Sequence, residues 1–183
     1  VPSSSRLTAM ATKFTNKDVI IDKHDRSYLS KVSIKNPIHF ISLGFGSGLM
    51  PKAPGTYGSL VALPFCMLLV YIPWQVQVAV AVLTFFLGWY TSSVTEKAMG
   101  MHDNSAIVID EFDGMFISII CFPSVWYYAV LAFVLFRIFD ILKPFPISML
   151  DKRIGGGLGV MLDDVLAGLF ALASAHVIFA LWL

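Results

Sequence analysis

Two adjacent acidic pairs and one further aspartate carry the clearest chemical potential in this chain. Asp110-Glu111 follows the apolar Ile107-Val108-Ile109 and precedes Gly114, while Asp163-Asp164 follows the run Gly155-Gly156-Gly157-Leu158-Gly159. Asp140 stands between the pairs, within Phe136-Arg137-Ile138-Phe139-Asp140-Ile141-Leu142-Lys143-Pro144-Phe145-Pro146. Hard divalent cations take oxygen ligands, and Mg²⁺ commonly uses one or two carboxylates, completed by waters and substrate phosphate oxygens. Asp110, Glu111, Asp140, Asp163 and Asp164 are more than sufficient for such a site. Asp163, read as opening the last helix, could instead cap its N-terminus. Capping leaves Asp164 and the other pair unexplained.

Cations stand beside these acids. Arg137 and Asp140 are three residues apart, neighbours on one helical face, and Lys143 lies a further turn along before the prolines end the helix. The plainer reading is an interfacial ion pair with a snorkelling lysine. The more functional one is phosphate binding, because arginine forks onto oxyanions and lysine supplies a point charge. Arg153 and Lys52 could add to that set. Lys52 sits in a Gly- and Pro-rich stretch from Gly44 to Ser59 whose hydroxyls include Ser47 and Thr56. Such a stretch before a helix could offer backbone N–H groups to phosphate, although it lacks the Gly-Lys-Ser/Thr of a Walker loop and could simply turn the chain.

The elements that must position these residues are written in the charge pattern. Asp, Glu, Lys and Arg are absent from 57–93, from 114–136 and from 165–183, and the five acids crowd the edges of those gaps. With 57% hydrophobic and 14% charged residues, the chain falls far below the roughly 25% charge of a soluble domain. It reads as an all-α integral membrane bundle with short or re-entrant helices and its site at the cytoplasmic face. Acids at a membrane edge are functional candidates by default. Residues 1–35 form a basic polar tail, of which the Ser-rich first ten resemble a leader outside the fold, and 36–183 form one membrane-embedded domain. The tail-bearing residues 1–36 hold seven Lys or Arg against three Asp, whereas 94–183 hold five basic and nine acidic residues. That distribution argues against nucleic acid and for a cytosolic tail near anionic lipid. No cleavable signal peptide is expected, since the first long apolar run begins near Tyr57.

Residues 37–49 are too short to cross a membrane and read as an interfacial or re-entrant helix. Tyr57–Ile72 and Trp74–Tyr90 read as a hairpin turning at Pro73 between the interface aromatics Tyr71 and Trp74. Met115–Phe139 could be one straight helix, but Pro123 near its middle favours a second hairpin, whose short first arm needs shielding by protein. A final crossing over 165–183 then places all the charged loops on one face, cytoplasmic by the positive-inside rule. Cys66 and Cys121 read as small core residues, His176 as bonding a neighbouring helix, and His102 as an ordinary loop histidine.

Three long motifs carry a resemblance: GFGSGLMPKAPGTYGSLVALP from Gly44, HDNSAIVIDEFDGM from His102, and FRIFDILKPFPISMLDKRIGGGLGVMLDDVLAG from Phe136. In this order they closely resemble the bacterial phosphatidylglycerophosphatase A family, over about Asn36 to the C-terminus. The resemblance implies a Mg²⁺-dependent phosphatase of phospholipid biosynthesis that converts phosphatidylglycerophosphate to phosphatidylglycerol and phosphate at the bacterial inner membrane. It implies catalytic and metal-binding roles for the five acids. Asp113 stands where the family's Asp-Glu-x-x-Gly commonly has an apolar residue, and its role is open. The expected mechanism is attack by a metal-activated water, with an aspartyl-phosphate route as the less favoured alternative. A cation transporter would place acids along the spans, and a scaffold would use them only as caps and pairs. Runs free of acids disfavour the first, and five acids in three places, each beside Gly-rich or cationic sequence, disfavour the second.

Overall fold

The computed structural model describes residues 27–100, 104–122, 124–149 and 156–182. His102, Pro123 and Arg153 therefore lie outside the described residues. Among the described residues the regular elements are all helical. Helix α1, Pro37–Ser42, starts where the Asn36 side chain accepts the Ile38 N–H at 3.0 Å and Pro37 needs no donor partner. A 3-10 stretch, Gly44–Leu49, follows, with left-handed φ at Phe45 and Gly46. The main helices are α2 (Pro54–Leu69), α3 (Trp74–Met99), α4 (Ile109–Ser118), α5 (Trp126–Leu142) and α6 (Gly156–Trp182).

Length sorts these helices by role. At about 1.5 Å per residue, α3 and α6 reach roughly 40 Å and exceed a hydrocarbon core of about 30 Å, whereas α2 and α5 reach about 25 Å. Only 28% of the most apolar window of α3 and of α6 is buried. Their exposed Leu83, Phe86, Val177 and Leu181 form a hydrocarbon exterior rather than the core of a water-soluble domain. Helix α4, about 15 Å long by the same rise, cannot cross. It survives because protein surrounds it: Ile109 and Glu111 to Ser118 are all buried.

The second hairpin is borne out. Helix α4 stops at Ser118 and α5 starts at Trp126, and Glu111 in the first turn of α4 pairs with Arg137 near the end of α5. The two helices are therefore antiparallel. At the opposite end, buried Gln77 donates to the carbonyls of Leu69 and Ile72, both at 3.0 Å, and its Oε1 accepts the Cys121 N–H at 3.1 Å. One side chain so ties both hairpin turns together. Tyr71, Trp74, Trp126 and Tyr127 are exposed around them, as an aromatic belt requires. Cys121 is exposed in this turn, so only Cys66 is the core residue expected of both.

Three further expectations are corrected. The last helix begins at Gly156, not at Asp163, so the Asp163-Asp164 pair lies inside the helix and the capping reading fails. From Gly156 onward the glycine run is helical, and α6 packs tightly on α3 there: a Cβ on Gly157 would lie 2.5 Å from Ser93 Oγ and 2.7 Å from its amide nitrogen. Helix α3 likewise continues past Tyr90 to Met99. Finally, His176 bonds the carbonyl of Leu172 in its own helix at 2.9 Å and packs its ring on Phe122 at 4.4 Å.

Candidate active site

Two glycines bring the acidic pairs together. A Cβ on Gly168 would sit 2.6 Å from the Gly114 carbonyl oxygen, and one on Gly114 would sit 2.9 Å from the Asp164 carbonyl oxygen and collide with the Phe136 ring. Helices α4 and α6 thus meet backbone to backbone, which sets Asp110-Glu111 beside Asp163-Asp164. The sequence motifs contain both glycines, but their role as the contact between the pairs depends on a non-local crossing. Asp164 lies within electrostatic reach of Glu111, Asp110, Asp140 and Asp163.

Arg137 organises one half of the site. Its Nη1 lies 2.5 Å from Glu111 Oε2 and 2.9 Å from Asp140 Oδ2, and it donates to Ser59 Oγ at 3.3 Å. Its Nη2 donates to Thr56 Oγ1 at 3.3 Å. Ser59 Oγ donates to Glu111 Oε2 at 2.7 Å. Gly55 in the first turn of α2 packs against Glu111, leaving no room for a side chain. Ser59 and Gly55 belong to this cluster although residue chemistry alone did not single them out; the signal available was a small hydroxyl residue one turn beyond Gly55 at a helix start.

Lys143 organises the other half. The backbone ends α5 there in a left-handed conformation (φ 40°), and Nζ lies 2.6 Å from Asp163 Oδ2. Its side chain keeps 32% exposure, so the ammonium is reachable from outside.

Of the other expected phosphate ligands, Thr56 joins the site through Arg137, whereas Ser47 and Lys52 are not brought to the carboxylates. Ser47 donates to the Gly44 carbonyl at 2.7 Å, and Lys52 is exposed on the loop before α2. The amides of Gly46 and Gly48 bond the Leu43 carbonyl and that of Met50 bonds the Ser47 carbonyl, so these three amides are not free to cradle a phosphate.

The electrostatics are unbalanced. Among the described residues two cations, Arg137 and Lys143, face five carboxylates, and Asp110 Oδ1 and Asp164 Oδ2 are buried without a hydrogen-bond partner. Burial pushes Asp110 well above the usual carboxylate range, reinforced by the charges of Glu111 and Asp163. Glu111 is also raised, by burial and then Asp140, despite the opposing pull of Arg137 and Ser59. Asp113, one turn deeper, is pushed up to about 7 by burial alone. Among the described residues, no three acidic, histidine or cysteine side chains already surround a point that an ion could occupy. The donor chemistry nevertheless fits a hard cation: unsatisfied carboxylate oxygens lie among like charges.

Fold and site together define an all-helical membrane protein with an acidic, cation-bridged centre at one end of the bundle. The sequence model of the phosphatidylglycerophosphatase A family matches residues 40–179, and the chain belongs to that family. It is 41% identical to the phosphatidylglycerophosphatase A of Escherichia coli over 89% of this chain and 95% of that one. It is 46% identical to the phosphatidylglycerophosphatase A of Haemophilus influenzae over 78% of this chain and 89% of that one. A Bacteroides thetaiotaomicron protein provisionally named phosphatidylinositol-3-phosphatase is 42% identical over 72% of this chain and 86% of its own length. No solved structure matches.

Proposed function

We propose that the protein hydrolyses the terminal phosphate monoester of phosphatidylglycerophosphate, yielding phosphatidylglycerol and inorganic phosphate, at the cytoplasmic face of a bacterial inner membrane. Family membership supports the reaction. The observation that carries the site is the pairing of Arg137 with Glu111 and Asp140 next to unsatisfied oxygens of Asp110 and Asp164. The cytoplasmic orientation rests on the positive-inside rule, applied to the basic tail and to the Lys and Arg residues between 137 and 153.

Asp110 and Asp164 would hold Mg²⁺, with Asp163, Glu111 and Asp140 as the remaining candidate ligands. The ion would supply charge neutralisation for phosphate oxygens and a lowered pKa for an attacking water. The protein's own part is positioning and charge, most of what phosphoryl transfer demands. Arg137 is fixed by Glu111, Asp140 and Ser59. Its remaining bond, to Thr56 at 3.3 Å, is long enough to be exchanged for a bond to a phosphate oxygen. Lys143 approaches from the exposed side and adds a second positive charge to the departing phosphate. Among the described residues, a dianionic phosphate would meet five carboxylates and the two bases Arg137 and Lys143, a net repulsion. A divalent cation held by Asp110 and Asp164 would reverse that repulsion.

Purified protein in detergent should release phosphate from phosphatidylglycerophosphate with Mg²⁺ and stop with chelator. Turnover undiminished by chelation would refute the metal; turnover of phosphatidylinositol 3-phosphate in preference would refute the substrate.

A further inference from the structure

Asp113 is fully buried on α4, one turn beyond Asp110, and neither of its carboxylate oxygens has a hydrogen-bond partner. It lines a groove of about 410 Å³ between α3, α4 and α6, within the roughly 300–1,000 Å³ of ligand pockets. The rest of the lining is hydrocarbon, including Val82 and Phe86 of α3, Ile117 of α4, and Val165 and Leu169 of α6. Val82, Phe86 and Leu169 are exposed, so the groove opens sideways on the apolar exterior. Helix direction orders its length. Gly88 packs against Met161 and Ile109 at the level of the acidic pairs. Asp113 and Val165 come next, and Ile117 and Leu169 lie one turn deeper still.

An unpartnered carboxyl in such a groove needs a polar ligand with an apolar continuation. We propose that the groove seats an acyl chain of the phospholipid substrate and that Asp113, at its upper end, binds the hydroxyl of the headgroup glycerol. This rests on the substrate proposed above. On that lipid the hydroxyl lies one carbon beyond the carbon bearing the terminal phosphate. Asp113 lies three residues, about 4.5 Å of helix rise, from Asp110. A phosphate at the acidic pairs therefore puts the hydroxyl within reach of Asp113. The glycerol turns its hydroxyl inward, so the phosphodiester that follows stays at the level of the acidic pairs, and a flexible acyl chain lies along Ile117 and Leu169. A hydroxyl both donates and accepts, so the contact holds with either form of the carboxyl.

The test compares kcat/KM for phosphatidylglycerophosphate, the same lipid lacking the headgroup hydroxyl, and a short-chain version. Wild type should prefer the hydroxylated lipid by at least about tenfold, the worth of one buried hydrogen bond. Asp113→Leu should bring that preference close to one, and Asp113→Asn should retain most of it. Val82→Trp, which fills the groove from α3, should lower the ratio of long-chain to short-chain turnover, mainly through KM. Absence of a hydroxyl preference in wild type, equal losses on both lipids in Asp113→Leu, or a chain-length ratio unmoved in Val82→Trp would overturn the assignment while leaving the phosphatase reading intact. A wild type releasing no phosphate from any of these lipids would overturn both.

Discussion

Arg137 Nη1 stands 2.5 Å from Glu111 Oε2, joining the first turn of α4 to the end of α5 through a single guanidinium nitrogen. Both side chains are largely buried, at 14% and 9% exposure, so the pair works at low dielectric and neither partner is dispensable. Arg137→Lys keeps the charge but cannot serve Glu111, Asp140, Ser59 and Thr56 together. Activity should fall by about two orders of magnitude, roughly 3 kcal/mol of transition-state stabilisation. Arg137→Ala should also unfold more easily, since breaking a buried pair from one side costs about 3–5 kcal/mol. Phosphate release and detergent thermal melts measure the two effects separately. A lysine variant with wild-type turnover would exclude the forked contact from the mechanism.

Asp110 and Asp164 should show opposite responses in activity and in stability. Each carries a buried oxygen without a partner among like charges. Asp110→Asn and Asp164→Asn should therefore abolish turnover, by more than about a thousandfold, because a metal ligand is lost. In chelator, however, both should melt no lower than wild type, since a buried charge has been removed. Added Mg²⁺ should raise the wild-type melting temperature and leave these variants nearly unmoved. A stabilisation by Mg²⁺ that survives in both would place the ion elsewhere.

These contrasts mark what the sequence could convey. Charge-free runs, aromatics beside Pro73 and the break at Pro123 are local signals, and each has a direct counterpart in the helices. The five acids were legible for the same reason: a carboxylate at the edge of hydrocarbon is costly and so conspicuous. Ser59, Gly55, Gly114 and Gly168 were not, because their importance lies in what crosses them. The start of α6 is hidden because Gly155–Gly159 signals a loop locally, whereas packing of Gly157 on Ser93 holds part of it in the helix.

The Gly114–Gly168 contact can be loaded directly. Gly168→Ala would push a methyl to 2.6 Å from the Gly114 carbonyl oxygen, with backbone rather than a flexible side chain in the way. Overpacking of this kind costs about 1–3 kcal/mol, and the helices must separate by tenths of an ångström. Activity should fall more steeply than stability, because the same shift moves Asp164 away from Asp110. Equal, small losses in both would mean that the spacing of the acidic pairs is not critical.

The hairpin of α4 and α5 makes a topological prediction. Cys121 is exposed in the turn at one end, while Ser105 and Ser148 lie in the connecting segments at the other, before α4 and after α5. In intact inverted and right-side-out vesicles, native Cys121 should not react with an impermeant maleimide from the side that carries the site. Ser105→Cys and Ser148→Cys, each in a Cys121→Ser background, should react from the cytoplasmic side. Labelling of 105 and 148 from different sides would require α4 and α5 to form one crossing.

Stability without metal should decline as pH rises. Asp113 is raised from 3.8 to about 7 by burial, and Asp110 and Glu111 are raised in the same direction. For an acid whose folded pKa exceeds its unfolded one, the stabilising contribution is complete below the unfolded value and is lost as pH passes through the folded value. In chelator the melting temperature should thus drop between pH 5 and pH 8. Asp113→Asn, neutral throughout, should flatten the part of that slope lying below about pH 7, where the folded protein still holds the Asp113 proton and the unfolded chain has lost it. Mg²⁺ at pH 8 should recover the share due to Asp110 and Glu111, since a cation favours their charged forms, but not the share due to Asp113 in its apolar groove. A chelated protein that grows more stable across this range, or an Asp113→Asn variant with the wild-type slope, would contradict the burial of an uncompensated carboxyl at this position.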